Sequence, residues 1–204
     1  MKTLGLNLQM GDVFCVGTSK APGFFIRLMS WLSSKDNKVR HNHSGIILGP
    51  DGRTFEAFFT GIKEGHISKY RGEVLLIARP IGPSPDVIFD ALNKIQLKHT
   101  GQVYPFLRIL LFCIPYAAKF VSSGKWYVCS EITASYLRRI GLWFRLIGGT
   151  TPDDITDYIW EQKGTRFEII FDRRIRDEHC TKDSNAGYNS GLGYPHENYG
   201  YLLR

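Results

Sequence analysis

Short apolar runs, bounded by glycine, proline or asparagine, mark the first half of the chain and recur once late in it. Runs of this length and composition predict β-strands. The turn sequence Pro50-Asp51-Gly52 separates two of them, which predicts a hairpin. The run at 73–80 is apolar at nearly every position, so we expect that strand to be central. We predict strands over residues 11–17, 43–49, 53–59, 73–80 and 167–171, with a loop at 61–70.

Apolar residues at helical spacing fill most of the remaining stretches. Two of these begin with strong N-terminal signals, Ser84-Pro85-Asp86 and Thr151-Pro152-Asp153. A third ends at Gly141 after two arginines, where cations suit the helix dipole. We predict helices over residues 22–34, 86–99, 105–121, 126–141 and 151–162. Strands followed by helices and one late strand predict an α+β fold with a mostly antiparallel sheet packed on helices.

The length and composition fit one domain with a substantial core. The chain has 204 residues, of which 43% are hydrophobic and 22% charged. We place this domain at residues 1–172. The remaining stretch, 173–204, is polar and rich in glycine and tyrosine, so we expect a tail outside the core that is disordered.

The net charge of +7 favours anionic surroundings, such as nucleic acid, anionic lipid head groups or an acidic cell-wall polymer. No lysine- or arginine-rich arm and no nucleic-acid-binding motif occurs, so we expect no specific nucleic-acid partner. Peripheral contact with an anionic membrane remains among the expectations, and the oligomeric state is left open.

The sequence shows neither a signal peptide nor a membrane-spanning segment. Its longest apolar stretch, 105–121, is interrupted by Arg108, Pro115 and Lys119, which predicts a buried helix instead. We therefore expect a cytoplasmic protein, with phage-encoded or non-classically exported protein as the alternatives.

Four cysteines occur without a C-x-x-C pair, which argues against a zinc ribbon or a dithiol redox site. Cys15 and Cys113 lie in apolar runs and are expected to be core residues, while Cys180 lies in the tail. Cys129 differs, because it falls near the start of a predicted helix.

A helix N-terminus lowers the pKa of a thiol and can hold a developing oxyanion. Position alone leaves two interpretations of Cys129: a nucleophile, or a buried cysteine under an aromatic cap formed by Trp126 and Tyr127.

A cysteine nucleophile needs a base, and the base needs an orienting group. His43 begins a predicted strand and is followed by Ser44-Gly45, where a missing side chain permits close approach. Glu56 lies on the strand across the predicted hairpin, where its carboxylate could fix the imidazole tautomer. A strand histidine alone is more often structural than catalytic.

Two other function classes stay open. His41 and His43 would share one face of a strand, as a metal-binding pair needs, which suggests a metal-dependent hydrolase. No further cluster completes such a site at a familiar spacing, and we expect no cofactor. The other alternative is a non-catalytic binding module.

The motifs G-D, H-S-G, F-E-A, C-S-E and T-P-D-D follow one another in the sequence. In this order they resemble the permuted papain-like proteins of the NlpC/P60 superfamily, in the YiiX/YaeF-like branch, over about residues 10–172. In that branch the histidine strand precedes the cysteine helix, as it does in this chain.

The resemblance implies a role for each matching residue. Cys129 matches the nucleophile, His43 the base and Glu56 the third polar residue. Gly11-Asp12 matches the first strand of the family, where the acid is structural or lines the groove, and Tyr104 resembles an aromatic position before the cysteine helix. The predicted substrate-binding residues are Asp12, Tyr104, Trp126 and Tyr127.

The activity implied by the resemblance is hydrolysis of an amide, through a thioacyl intermediate on Cys129. A peptide, including a cell-wall peptide, is the leading substrate. The alternative is a lipid amidase, esterase or acyltransferase of the same fold.

Overall fold

The computed structural model describes residues 6–18, 41–58, 61–102 and 128–173. Several sequence predictions lie outside these ranges: the helices at 22–34 and 105–121, the tail, and the residues Tyr104, Cys113, Trp126, Tyr127 and Cys180.

The described residues form one antiparallel sheet with helices, which confirms the predicted α+β class. The strand order across the sheet is β4-β3-β2-β1-β5-β6. Each neighbouring pair is antiparallel. The strands are β1 Val13–Gly17, β2 His43–Ile47, β3 Arg53–Phe58, β4 Gly61–His66, β5 Val74–Pro80 and β6 Phe167–Arg173.

The predicted hairpin is present. Strands β2 and β3 pair with Ile46 opposite Phe55 and Ile47 opposite Thr54. Gly52 in the connecting turn has φ +83°, a left-handed conformation that glycine adopts without strain. Strand β5 lies between β1 and β6, so its apolar sequence fits the interior position that we predicted.

The loop predicted for 61–70 is wrong. Strand β4 pairs with β3 along its whole length, from Arg53–His66 to Phe58–Gly61, and the 3₁₀ helix Ile67–Tyr70 follows it. The sequence GIKEGH is poor in β-branched and aromatic residues, so its local preference for a strand is weak. Pairing with β3 provides the stabilisation that the local sequence lacks.

Three helices are described, and all three were predicted. Ser84 caps the first and Thr151 caps the third, each accepting a backbone N–H with its side chain. The second begins at Cys129 and ends near Gly141, whose φ is +77°. The helices are α1 Pro85–His99, α2 Cys129–Arg139 and α3 Pro152–Glu161.

The two faces of the sheet bury different residues. On one face, side chains such as Ile46 and Leu76 form the main core with the apolar sides of the helices. On the other face, Phe14, Ile47 and Ile77 belong to a second cluster, which includes residues of the 3₁₀ helix but none of the three α-helices. Within the described ranges, no helix is long and apolar enough to cross a bilayer.

Candidate active site

Cys129 is the first residue of α2 and is 3% exposed. The start of the helix is fixed by Glu131, whose carboxylate accepts the backbone N–H of Val128 at 3.2 Å and that of Gly149 at 3.1 Å. The carboxylate also lies in the first turn, where the helix dipole favours negative charge. The position of the thiol is therefore set by the helix cap and by the loop that precedes α3.

Hydroxyl groups attach this first turn to the rest of the fold. Thr133 Oγ1 donates to the Cys129 carbonyl at 3.1 Å and lies 3.1 Å from Ser44 Oγ on β2. Ser130 Oγ donates to the Thr150 carbonyl at 2.6 Å. These groups are buried, so each hydrogen bond also satisfies a polar atom that water does not reach.

An opening between β2 and β3 exposes a backbone donor to the thiol. The Leu48 N–H donates to the Arg53 carbonyl of β3, and alternate residues of a strand direct their N–H groups to the same side. The Ser44 N–H therefore points toward β3, but the register of the two strands ends at Ile46–Phe55. Instead, the Ser44 N–H donates to the sulfur of Cys129.

His43 lies at the same opening and contacts both Glu56 and Cys129. Its Nε2 is 2.7 Å from Glu56 Oε2, and its ring also makes a hydrogen bond to the Cys129 thiol. Because Nε2 is engaged by Glu56, Nδ1 is the nitrogen left for the sulfur. The imidazole is thus a bridge between the thiol and the carboxylate.

Three aromatic rings surround the imidazole. Their centroids lie 6.2 Å (Phe14), 6.3 Å (Phe58) and 5.9 Å (Tyr70) from that of His43. The side chain of His43 is 12% exposed. These contacts restrict the ring and keep most water away from it, so the charges in the site act on one another strongly.

Glu56 is buried at 1% exposure and receives two donors on each carboxylate oxygen. On Oε2 the donors are His43 and the Tyr70 hydroxyl, the latter at 2.5 Å. On Oε1 they are the Thr54 hydroxyl and the Lys69 ammonium group, the latter at 2.9 Å. A carboxylate this well satisfied remains in one orientation.

The pKa values of the three groups follow from these contacts. Burial raises the pKa of the Cys129 thiol, but His43 and the N–H groups of Ser44 and Ser130 outweigh burial and lower it. Burial likewise lowers the pKa of His43, but Cys129 and Glu56 reverse this and raise it to about 9.

Burial would raise the pKa of Glu56, yet His43, Lys69 and Thr54 hold it at about 2. All three shifts favour the same charge state: a thiolate on Cys129, an imidazolium on His43 and a carboxylate on Glu56.

The structure brings together the three residues that the sequence placed in the site. Sequence reasoning missed Ser44, Thr54, Lys69 and Tyr70, which support them. Thr54 carries a usable signal, because it lies two positions before Glu56 and therefore on the same face of the strand. Lys69 and Tyr70 carry none, since their segment was predicted to be a loop.

Asp12, predicted to bind substrate, has structural contacts. Its two carboxylate oxygens each accept from the Arg79 guanidinium at 2.9 Å, and Oδ2 accepts the Gln9 N–H at 2.8 Å. This bidentate pair joins the start of β1 to β5, and Asp12 itself is fully buried. Of the two roles considered for this acid, the structural one fits these contacts, and the substrate-binding one stays a prediction.

His41 and His43 point at different partners. Nδ1 of His41 lies 3.1 Å from the Thr156 hydroxyl of α3, whereas His43 faces Glu56 and Cys129. Among the described residues, no group of three or more histidine, cysteine, aspartate or glutamate side chains is placed to hold a metal ion.

Cys15 is fully buried, as predicted for a core residue. Burial raises the pKa of its thiol to about 12, so it stays protonated under the conditions in which Cys129 ionises. The two described cysteines therefore differ strongly in expected reactivity.

A scan against family models and a search of curated proteins both find no match to this chain. Among solved structures, the chain is similar to the crystal structure of the metalloprotein YiiX from Escherichia coli O157:H7. The two share 16% identity with a TM-score of 0.47, over 93% of this chain and 99% of that chain. A likeness at this level assigns neither an activity nor a metal to the present protein.

Proposed function

We propose that this protein is a cysteine-dependent hydrolase of the permuted papain-like type, with Cys129 as its nucleophile. The observation that supports the proposal is the bridging position of His43, which makes hydrogen bonds to the Cys129 thiol and to the Glu56 carboxylate. A nucleophile, a base and an orienting acid in mutual contact are what acyl transfer requires.

In the proposed reaction, the thiol proton of Cys129 moves to His43 and the thiolate attacks the carbonyl carbon of an amide or ester. The imidazolium then gives that proton to the leaving amine or alkoxide as the bond to carbon breaks, which leaves a thioester on Cys129. His43 next removes a proton from water, the hydroxide attacks the thioester, and the carboxylic acid and the free thiol are released.

Backbone N–H groups of β2 and of the first turn of α2 supply positive potential for both charged states of the reaction. The N–H groups of Ser44 and Ser130 stabilise the thiolate before attack. We assign the backbone N–H of Cys129, at the N-terminus of α2, to the oxyanion that forms on the substrate.

A peptide amide, including a cell-wall peptide, is the first substrate class to test. Lipid amides or esters are the second, since they would form the same thioester. An acyltransferase differs only in the final step, where an amine or alcohol replaces water. The acceptor therefore separates hydrolase from acyltransferase activity, whereas the substrate itself separates peptide from lipid hydrolysis.

Competitive alkylation tests the activated thiolate without knowledge of the substrate. The protein is treated with iodoacetamide at neutral pH, and modification of each cysteine is followed by peptide mass spectrometry. We expect Cys129 to react at least about 10-fold faster than Cys180, and this advantage to be lost in His43→Ala. Equal rates at the two cysteines, with no effect of His43→Ala, would overturn the proposal.

Turnover is then measured on matched peptide amides, acyl amides and acyl esters. We expect Cys129→Ala to abolish hydrolysis and His43→Ala to reduce kcat by at least about 10³-fold. A covalent acyl adduct on Cys129, detected by intact-protein mass spectrometry after rapid acid quenching, identifies the intermediate. Full activity in Cys129→Ala would contradict a nucleophilic role.

A further inference from the structure

Lys69 stands at the end of a line of contacts that begins at Cys129 and runs through His43 and Glu56. Its Nζ lies 2.9 Å from Glu56 Oε1, the carboxylate oxygen opposite the one that contacts His43. We propose that Lys69 is a positioning residue that keeps Glu56 ionised and turned toward His43, and that its charge sets the pH range in which thiolate and imidazolium coexist. This inference rests on the proposed function and adds a residue to it.

The ammonium group of Lys69 occupies a defined place. Its Nζ lies 3.7 Å from the centroid of the Phe58 ring and 4.7 Å from that of the Tyr70 ring, while the side chain is 31% exposed. The rings of Phe58 and Tyr70 and the Glu56 carboxylate therefore hold the ammonium group between them. Such a place differs from that of a surface lysine, whose ammonium group is surrounded by water.

Gly65 makes the space for this ion pair. It lies opposite Thr54 in the pairing of β3 with β4. A Cβ atom at Gly65 would lie 2.9 Å from Glu56 Oε1, 3.0 Å from Lys69 Nζ and 2.8 Å from the Phe58 ring. Any side chain at this position would separate the ammonium group from the carboxylate or displace both.

The reaction cycle explains why a second cation is needed. His43 is an imidazolium in one half of the cycle and a neutral imidazole in the other, whereas Glu56 is buried throughout. A buried carboxylate without a cationic partner is strongly disfavoured and would take up a proton or turn away. Lys69 supplies the positive charge while His43 is neutral.

Other ionisable groups face this site from several elements. Lys63 of β4 places its Nζ 5.5 Å from the Phe58 centroid. Tyr70 donates to Glu56, and its pKa is raised by burial and by that carboxylate, so it stays neutral. Beyond Cys129, the Cys15 thiol has a raised pKa to which Cys129 and Asp153 contribute after burial. Within the part of the chain that the structure describes, Lys69 and His43 are the cations in direct contact with Glu56.

The charge effects on the two reacting groups have opposite signs. Removing Lys69 raises the pKa of the Cys129 thiol, because the thiolate loses a favourable potential. It lowers the pKa of His43, because Glu56 without Lys69 takes up a proton or turns away and the imidazolium then loses its carboxylate. That loss outweighs the relief of repulsion by Lys69, which lies on the far side of Glu56 from His43. The pH range in which thiolate and imidazolium coexist therefore narrows at both ends, by about half a unit to one unit at each end for a partly exposed charge.

The test compares wild type with Lys69→Met, Lys69→Arg and the matched control Lys63→Met. The rate of Cys129 alkylation by iodoacetamide is measured against pH, and the His43 titration is followed by NMR on protein labelled at histidine. We expect the Cys129 midpoint to rise and the His43 midpoint to fall in Lys69→Met, both to return toward wild type in Lys69→Arg, and both to move much less in Lys63→Met.

Unchanged midpoints in Lys69→Met, or equal shifts in Lys63→Met, would overturn the role of Lys69. Lys69→Gln keeps an N–H donor without the charge and gives the same test if the methionine variant does not fold. A wild-type Cys129 that reacts no faster than Cys180 would instead overturn the proposed function, so the two failures are distinguishable.

Discussion

Gly45 lies across from Glu56 at such close range that a Cβ atom on Gly45 would lie 2.8 Å from Glu56 Cγ. The same atom would lie 2.7 Å from the ring of Phe14, which also neighbours His43. The missing side chain at residue 45 is thus what lets the carboxylate approach the imidazole. The motifs H-S-G and F-E-A therefore fit each other sterically, through Gly45 and Glu56, as well as chemically, through His43 and Glu56.

Gly45→Ala is expected to impair the site more than the fold. The new methyl group must displace Phe14 or Glu56, which costs about 1–3 kcal/mol of stability and moves Glu56 away from His43. We expect the advantage of Cys129 in alkylation to fall by about 10-fold. The measurements are urea denaturation and the alkylation rate.

Gly49→Ala is the matched control on the same hairpin. A Cβ atom there would lie 3.1 Å from the exposed Asp51 carboxylate, which can move aside. Equal losses in the two variants would mean that Gly45 acts only through general stability.

The pH dependence should separate alkylation from turnover. Cys129 has a lowered pKa, so its alkylation rate should reach its maximum at a lower pH than that of an ordinary thiol. His43 must be protonated to donate to the leaving group, and its pKa is raised to about 9. Amide turnover should therefore fall as the pH rises through about 9, while alkylation stays fast. Parallel decline of both rates would contradict the assignment of His43 as the acid.

Glu56→Gln should lower the free energy of unfolding at neutral pH by about 2–4 kcal/mol. The reason is that His43 and Lys69, two largely buried cations, would lose the carboxylate that both contact. In the folded protein the pKa of Glu56 is depressed from 4.5 to about 2. Its stabilising contribution is present above the unfolded value and is lost as the pH falls between these two values. The difference between variant and wild type should narrow over that range in urea titrations. A difference that does not depend on pH would refute an ionised Glu56.

Chelation should leave the protein active. His43 is directed at Glu56 and Cys129, and His41 at Thr156, so the two do not converge on one ion. We expect unchanged alkylation of Cys129 and unchanged turnover after prolonged dialysis against a chelator. One tightly held zinc ion per chain, with activity lost on its removal, would favour the metal-dependent alternative.

Asp12→Asn distinguishes a structural acid from a substrate-binding one. Loss of the buried bidentate pair with Arg79 should destabilise the fold by about 2–4 kcal/mol. KM for any substrate found and the alkylation rate of Cys129 should remain near wild type. A raised KM with little loss of stability would place Asp12 in the substrate groove instead.

The sequence predicts much of the described fold because its signals are local. The turn at Pro50-Asp51-Gly52 and the caps Ser84 and Thr151 each act within a few residues, and the structure has all three. Strand β4 was missed because its stabilisation comes from β3, a partner that a short sequence window does not show.

The site residues divide in the same way, into those that sequence motifs identify and those whose role depends on contacts between distant segments. The ordered motifs identified Cys129, His43 and Glu56, which the fold brings into contact. Lys69 could not be found in this way, because its distance from Glu56 depends on the path of β4 and the 3₁₀ helix. The absence of a side chain at Gly65 likewise can be interpreted only once its neighbours Glu56, Phe58 and Lys69 are known.

The opening between β2 and β3 makes part of the site resistant to mutation. The Ser44 N–H that the sheet leaves to Cys129 belongs to the main chain, so substitutions of the serine side chain do not remove it. Only proline lacks this donor. Substitutions at residue 44 other than proline therefore keep this hydrogen bond, and its importance would escape a scan by alanine substitution.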